Sequence, residues 1–220
     1  DLFVPVAFHR WKKLGDEIRF RFHAVGHILG AASVELGLDD GVKKTSILFS
    51  GDVGRYATPL IIDPVTPPQT DYLVCESTYG GEVHEPQDIF FEMAKVIDEV
   101  IRRKSVLLIP AFAVGRTQEL MLLLKDSRYE FWLDGMGRKV NKIYLRYPEY
   151  VKSAKRLRQA YRRTNEVRSM HGRTRALKGD VILTTSGMLD GGPVVSYIDA
   201  VRDDPANPVP PSADIQAAVC

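Results

Sequence analysis

The stretch Ser46–Arg55, which reads SILFSGDVGR, ends an apolar run abruptly at a glycine and an acidic residue. A short apolar run bounded by glycine is typical of a buried strand. A carboxylate just beyond such a strand is held by a fixed backbone and remains reachable from solvent. Asp52 is therefore a candidate for chemistry, and the strand before it is expected to be buried.

Asp52 is flanked along the chain by two other polar residues that each follow an apolar run. His27 lies upstream in the glycine-bounded sequence GHILG, and Glu76 lies downstream after the run DYLVC. The glycine beside His27 lets the backbone approach a ligand closely. We therefore predict that His27, Asp52 and Glu76 converge on one site.

The first part of the chain has the pattern of a sheet with short turns. Residues 18–24 alternate between apolar and polar side chains, as expected for a half-buried strand. In this pattern His23 falls on the polar side, which predicts a surface histidine. A further strand is expected at 33–38, followed by a hairpin turn at 39–41. Successive strands joined by turns predict a meander.

Beyond residue 76, apolar runs alternate with segments of helical spacing. Helices are expected at 87–103, 115–124, 149–163 and 193–202, and strands at 105–110, 130–133 and 180–184. Thr117 is a candidate N-cap of the second helix. The alternation predicts a mostly parallel sheet flanked by helices. The predicted domains are 1–76 and 77–202, and a proline-rich tail at 203–220 is expected to be disordered.

The composition is that of an ordinary soluble globular protein. The 220 residues are 45% hydrophobic and 26% charged, and no apolar run is long enough to span a membrane. The N-terminal residues lack the pattern of a signal peptide. The two cysteines, Cys75 and Cys220, do not suggest a disulfide framework, which favours a reducing, cytoplasmic location.

A strongly basic segment is concealed by the small net charge of +2. Residues 138–178 contain fourteen Lys or Arg against two acidic residues, Glu149 and Glu166, a local charge of +12. The rest of the chain carries 16 basic and 26 acidic residues, a charge of −10. A basic segment on an otherwise acidic chain indicates a polyanionic partner, and a solvated helix face is the alternative.

Five motifs follow one another along the chain. They are GHILGAA at 26–32, FSGDVGR at 49–55, ESTYG at 76–80 with His84, IPAFAVGRTQ at 109–118 and TTSGMLDGGP at 184–193. In order and spacing they resemble the metallo-β-lactamase-fold nucleases that carry a β-CASP domain, such as RNase J and the endonuclease of messenger-RNA 3′-end processing. The resemblance covers about residues 1–205 and is nearest to the exonuclease-like bacterial and archaeal members. It implies an α/β fold, with part of a metallo-β-lactamase αββα sandwich followed by the β-CASP domain.

The resemblance also implies roles for residues of the first three motifs. His27 corresponds to a zinc ligand, and Asp52 corresponds to a ligand that bridges two zinc ions. Glu76 corresponds to an acid that holds a catalytic histidine. His84 is a candidate for catalysis or substrate binding, with a surface loop histidine as the alternative. A two-metal site can stabilise the charge that develops on a phosphate, and imidazole and carboxylate groups suit zinc.

Candidates for substrate binding lie in the second half of the chain. An arginine at a helix start could bind phosphate or pair with an acid. A glycine-rich turn could cradle a phosphate through backbone N–H groups or be purely structural. The basic helix at 149–163 is predicted to contact RNA. The residues are Arg116, Thr185, Ser186, Gly187, Lys155 and Arg158.

Two features of the family pattern are missing from the sequence. It contains no His-x-His-x-Asp-His string and no histidine after Pro193, so we expect a fragment whose zinc site is incomplete. The resemblance implies a zinc-dependent ribonuclease that acts on single-stranded RNA, with no membrane partner and with homodimerisation left open. A non-catalytic RNA- or partner-binding module is the alternative. A different hydrolase of the same metal fold is disfavoured by the β-CASP motifs.

Overall fold

The computed structural model describes residues 3–82 and 89–202. His84 and the tail at 203–220 lie outside the described residues. The chain divides into two compact units, residues 1–84 and 85–220, a division C-terminal to the boundary predicted at residue 76. Within the described part of the chain, no helix combines the length and apolar character needed to cross a membrane.

The first unit is built on a five-stranded sheet whose strands follow chain order. The first four strands pair antiparallel, and the fifth pairs parallel with the fourth. The predicted meander is confirmed, and Asp40 Oδ1 in its hairpin turn accepts hydrogen bonds from the amides of Val42 and Lys43 at 2.9 and 2.7 Å. The strands are β1 (Lys12–Lys13), β2 (Ile18–Ala24), β3 (Ala32–Asp39), β4 (Lys44–Phe49) and β5 (Tyr72–Val74).

One face of this sheet is apolar and only partly covered. The register aligns Phe20, Leu36, Ile47 and Tyr72 in one row across four strands. None of these side chains is fully buried, and Phe49 in the next row is 41% exposed. The expectation that the run before Asp52 is buried is therefore wrong except at its central leucine. That leucine points to the opposite face, because successive strand residues alternate in direction.

The opposite face of the sheet carries a buried charge cluster. Glu35 Oε2 accepts hydrogen bonds from Arg21 Nε and Nη2 at 2.9 and 2.6 Å, and His23 Nε2 lies 2.7 Å from the same oxygen. The Trp11 ring stacks on Arg21, and the His9 ring contacts His23. His23 is only 7% exposed, so its prediction as a surface histidine is wrong. The segment preceding β1 covers this polar face, and pairing makes the buried charges tolerable.

The second unit contains a four-stranded, fully parallel sheet in the order β6-β9-β7-β8, as the alternation predicts. Its strands are β6 (Leu107–Pro110), β7 (Phe131–Asp134), β8 (Asn165–Glu166) and β9 (Val181–Thr184). The helices are α1 (Ile89–Arg102), α2 (Arg116–Leu124), α3 (Gly137–Tyr144), α4 (Ala154–Arg163), α5 (Met170–Ala176) and α6 (Pro193–Val201). The strand β9 is buried throughout, as expected for a parallel strand covered on both faces.

Two helix starts differ from the prediction because local hydrogen bonds decide them. The helix expected from residue 149 begins at Ala154, where the Ser153 hydroxyl accepts the Arg156 amide at 3.2 Å. Residues 148–150 form a separate 3-10 turn. Thr117 is not the N-cap of α2: Gly115 occupies that position, and the Thr117 hydroxyl donates to the Phe112 carbonyl at 2.7 Å. The short elements α3, α5 and β8 were not predicted, since each is too brief to show periodicity.

A tyrosine–carboxylate pair links α4 to β8. The Tyr161 hydroxyl donates to Glu166 Oε1, and Arg168 Nε donates to Glu166 Oε2 at 2.9 Å. Burial, reinforced by the hydrogen bond and negative charge of Glu166, raises the pKa of Tyr161 to about 12. The phenol therefore keeps its proton in the folded chain at a pH where it would ionise in the unfolded chain.

We expect the free energy of unfolding to fall as the pH rises from 10 towards 12, because only the unfolded state then releases the Tyr161 proton. The stabilisation is fully present below pH 10. Urea denaturation on either side of pH 10 measures this effect, with Tyr161→Phe as the comparison. The difference in free energy of unfolding between the wild type and the variant should be smaller at the higher pH. Parallel pH profiles of the two proteins would contradict the raised pKa of Tyr161.

Candidate functional site

The loops that follow β2, β4 and β5 meet at one end of the first unit's sheet. The Gly54 amide donates to the Val25 carbonyl at 2.8 Å, which joins the loop after β4 to the loop after β2. The Glu76 amide donates to the Ser50 hydroxyl oxygen at 2.9 Å, which joins the loops after β4 and β5. The three loops that carry the sequence-predicted site residues are therefore neighbours in the fold.

Glycines permit this close approach of backbone segments. A Cβ atom at Gly54 would overlap the carbonyl group of Gly26 and lie 2.5 Å from the backbone nitrogen of His27. Gly26 has φ +66°, and a Cβ there would lie 2.8 Å from Pro64 Cδ. The histidine loop is thus positioned by backbone contacts that side chains larger than hydrogen would prevent.

Glu76 is held in an ionised form between two of the loops. Its carboxylate accepts hydrogen bonds from the amides of Thr78, at 3.1 Å, and Val53, at 3.2 Å. These hydrogen bonds, those of Thr78 foremost, lower the pKa of Glu76, and the nearby His27 imidazole lowers it further. Glu76 therefore contacts the residue that follows Asp52 and interacts electrostatically with His27.

His27 and Asp52 are both exposed at this end of the sheet. An imidazole and a carboxylate are suitable zinc ligands, but a zinc site needs three or four protein ligands. Across residues 3–82 and 89–202, no group of three or more His, Cys, Asp or Glu side chains is placed to hold a metal ion. His27 and Asp52 are thus of residue types that zinc accepts, and a site that includes them needs at least one further ligand.

The turn at 185–187, here called the Thr185 turn, begins the glycine-containing segment beyond the carboxyl end of β9. Thr185 is buried, and its hydroxyl oxygen accepts the Met136 amide at 3.3 Å. A Cβ at Gly135 would overlap that oxygen, so the loop after β7 packs directly on the turn. The Ser186 hydroxyl donates to Asp190 Oδ1 at 2.7 Å. Ligands of parallel sheets bind beyond the carboxyl ends of the strands, which is where this turn lies.

The third member of the turn, Gly187, packs against the loop after β6. A Cβ at this position would lie 3.1 Å from the backbone nitrogen of Phe112 and 3.5 Å from its ring. The loops after β6, β7 and β9 therefore form one continuous surface in the second unit. The sequence-predicted residues Thr185, Ser186 and Gly187 lie at its centre.

A buried carboxylate that we did not predict as a site residue supports this surface. Asp134, at the end of β7, is 4% exposed and accepts hydrogen bonds from Arg173 Nε at 2.8 Å and the Tyr197 hydroxyl at 3.1 Å. Its Oδ1 also accepts the Gly135 amide at 2.7 Å. Burial, followed by the charge of Asp134, raises the pKa of Tyr197. The sequence signal was available, since an acidic residue next to a glycine follows an apolar run here as it does at Asp52.

The remaining predicted substrate residues lie on helices of the second unit. Arg116, the first residue of α2, forms an ion pair with Glu119 at 2.7 Å, which is the alternative weighed for it. Lys155 and Arg158 are exposed on α4, whose opposite side buries Leu157 and Ala160. The α4 sequence contains no acidic residue, so its exposed side is a continuous basic face.

Comparison with known proteins identifies the second unit. The family model of the Beta-Casp domain matches residues 117–209. This match begins within the fourth of the five motifs and includes the whole of the fifth.

Three similar proteins come from archaea. The chain is 32% identical to the probable RNase MJ4 of Methanocaldococcus jannaschii, over 93% of this chain and 49% of the relative. It is 33% identical to the transcription termination factor FttA of Methanococcus maripaludis, over 94% of this chain and 35% of the relative. It is 30% identical to RNase aCSPSF2 of Saccharolobus solfataricus, over 95% of this chain and 43% of the relative.

These alignments cover nearly all of the chain, which itself spans half or less of the length of each relative. Both units therefore contribute to the similarity, and the mixed α/β fold with its helix-flanked parallel sheet agrees with the domain match. The chain carries a β-CASP domain, and over nearly all of its length it is similar to these three proteins.

Proposed function

We propose that the protein is a metal-dependent ribonuclease that hydrolyses phosphodiester bonds of RNA, with zinc as its metal. The observation that carries this proposal is the meeting of the loops of His27, Asp52 and Glu76 at one end of the sheet. Two of the relatives are named as RNases, which supports the same class of activity. The chain spans half or less of those relatives, so the activity is proposed for the whole protein.

Each sequence-predicted residue has a part in this proposal. His27 and Asp52 serve as two of the zinc ligands, and ionised Glu76 orients an imidazole through its carboxylate. The Thr185 turn, comprising Thr185, Ser186 and Gly187, binds phosphate, with Arg116 nearby on the same unit. Phosphate binding by Arg116 must compete with its ion pair to Glu119. His84 is proposed to assist catalysis.

We propose single-stranded RNA as the substrate and the cytoplasm as the location. The exposed, free thiol of Cys75 is consistent with a reducing compartment. The basic face of α4, with Lys155 and Arg158 on it, is the proposed contact with the RNA backbone. A strand of phosphates is attracted to such a face, and its binding must weaken as salt is added.

The proposed α4 contact predicts that RNA affinity is lower and depends less on salt in the triple variant Lys155→Gln, Arg156→Gln, Arg158→Gln. The slope of log Kd against log salt should decrease by about 2, because each phosphate contact on a single strand contributes about 0.7. Fluorescence anisotropy with labelled single-stranded RNA at several salt concentrations gives this slope.

The matched control removes the same charge from the same unit. It is the triple variant Lys95→Gln, Arg102→Gln, Arg103→Gln, on α1 and at the residue directly after it, where Lys95 and Arg103 already pair with glutamates. The slope of this control should stay close to that of the wild type. An equal decrease in both variants would show that net charge, rather than the α4 face, governs binding.

The alternative is a non-catalytic RNA- or partner-binding module, which would need only the surface of the second unit. Metal analysis and cleavage assays of the purified full-length protein separate the two functions. About two zinc ions per chain, with cleavage abolished by Asp52→Asn, support the ribonuclease. Salt-sensitive RNA binding without zinc or cleavage supports the module. Homodimer formation is a further prediction, to be tested on the same preparation.

A further inference from the structure

The loop after β6 presents a phenylalanine to solvent at the surface formed by the second unit's strand ends. Phe112 is 55% exposed although it directly follows the buried residue Ala111 and lies a few residues before the start of α2. Val114 of the same loop and Met188, which follows the Thr185 turn, are also exposed. A group of exposed apolar side chains, unlike a single one, indicates a contact made with another molecule.

The backbone that carries Phe112 is held in one conformation. The Phe112 carbonyl accepts hydrogen bonds from the Thr117 amide at 3.2 Å and the Thr117 hydroxyl at 2.7 Å. The fully buried Gln118 side chain donates to the Ala113 carbonyl at 3.1 Å and accepts the Gly115 amide at 2.8 Å. A ligand that uses this ring would have little backbone entropy to overcome, which is the advantage of a preorganised site.

The ring borders the Thr185 turn. The Ala111 amide donates to the Thr184 carbonyl at 2.9 Å, which aligns the two loops as they leave the sheet. Gly187 lies directly beside this residue, since a Cβ there would be 3.1 Å from the Phe112 backbone nitrogen and in van der Waals contact, at 3.5 Å, with its ring. The next residue, Met188, is also exposed. An apolar platform thus adjoins the polar turn that we propose to bind phosphate.

A ligand that fits both surfaces must combine a negative charge with a flat aromatic face. The same unit contains the basic segment 138–178, with a local charge of +12, which favours a polyanion. Single-stranded RNA offers phosphates together with unstacked bases, whereas the bases of a duplex are stacked inside it. Stacking a base on an aromatic side chain changes affinity by about 5- to 150-fold in alanine substitutions.

We infer that Phe112 stacks against a nucleobase and positions single-stranded RNA with its phosphate at the Thr185 turn. This inference rests on the proposed RNA-directed function. It assigns a base contact to the loop after β6, where the sequence had indicated only a strand end and a helix start.

The test compares Phe112→Ala and Phe112→Trp with the wild-type full chain. The probes are a labelled single-stranded oligoadenylate and an abasic ribose-phosphate strand of the same length, measured by fluorescence anisotropy at one salt concentration. Phe112→Ala should weaken oligoadenylate binding by about tenfold and leave abasic binding unchanged, because only the first probe has a base to stack. Phe112→Trp should retain wild-type affinity for both.

Phe91→Ala is the matched control. Phe91 is 54% exposed on α1 of the same unit, with Lys95 Nζ 4.2 Å from its ring centroid, so it has the same residue type and exposure. Its replacement should leave the affinity for both probes unchanged. Thermal unfolding should show that both alanine variants remain folded.

The outcomes separate the inference from the function on which it rests. If the wild-type chain binds neither probe, the proposed RNA-binding function fails. If the wild type binds and Phe112→Ala binds oligoadenylate equally well, the stacking inference alone is overturned. Equal losses on both probes, or no recovery in Phe112→Trp, would assign Phe112 a structural role and also overturn the inference.

Discussion

Replacing Gly54 with alanine should lower the free energy of unfolding of the first unit by about 3 kcal/mol, the upper part of the usual range for overpacking. The new Cβ would overlap the Gly26 carbonyl and lie 2.5 Å from the His27 nitrogen. Both neighbours are backbone atoms, so no side chain can rotate away to relieve the overlap. The loops after β2 and β4 must separate, which also displaces His27 from Glu76.

Hydrogen exchange is the sharpest measurement of this effect. Amides in residues 25–54 should exchange faster in Gly54→Ala, while those of the second unit should keep their wild-type rates. Gly81→Ala is the control in the same unit, because nothing lies within 4 Å of a Cβ at Gly81. Equal protection in Gly54→Ala and Gly81→Ala would show that the close approach of the two loops does not constrain the fold.

The second large effect is expected for Asp134→Ala, which should destabilise the second unit by about 3–5 kcal/mol. Asp134 is buried and accepts hydrogen bonds from Arg173 and Tyr197. Its removal leaves a partly buried guanidinium without its carboxylate and a buried hydroxyl without its acceptor. Breaking a buried pair in this way costs much more than removing an exposed one.

Urea denaturation followed by the fluorescence of Trp132, two residues before Asp134 on β7, measures the loss. Asp126→Ala is the control, because the Asp126 side chain is 83% exposed and pairs with Lys125. A similar small decrease in the free energy of unfolding of both variants would rule out a stabilising role for the buried cluster. In Asp134→Asn, burial still raises the Tyr197 pKa, but this pKa should fall part of the way towards its ordinary value, because the negative charge that adds to the effect of burial is gone.

Most elements of both sheets could be predicted because their signals are local. The alternation at 18–24, the hairpin at 39–41 and the apolar run before Thr184 each reflect the period or turn chemistry of a strand. The predictions of helix starts were less accurate. At α4 a single serine hydroxyl moved the start to Ala154, and at α2 a glycine took the cap position from Thr117.

The candidate site could be predicted in part. An acid or histidine placed after a strand marked His27, Asp52 and Glu76, and the structure brings their loops together. Asp134 also lies at the end of a strand, but it is buried against Arg173 and Tyr197. It therefore stabilises the loops of the second unit from inside and is not itself exposed to a ligand. The chemical type of these residues was readable from the sequence, whereas their accessibility was not.

By itself, the amino-acid sequence determined the class of fold, the order of the longer strands and helices, and the family resemblance, because periodicity, turn residues and motif spacing are properties of short stretches. Only the tertiary structure decided that His23 is buried on Glu35, that Phe49 is exposed, and that Phe112 borders the Thr185 turn. Burial depends on which distant segment covers a given face, and a local pattern contains no information about that segment. The same physical reason separates Asp52, which faces solvent, from Asp134, which does not.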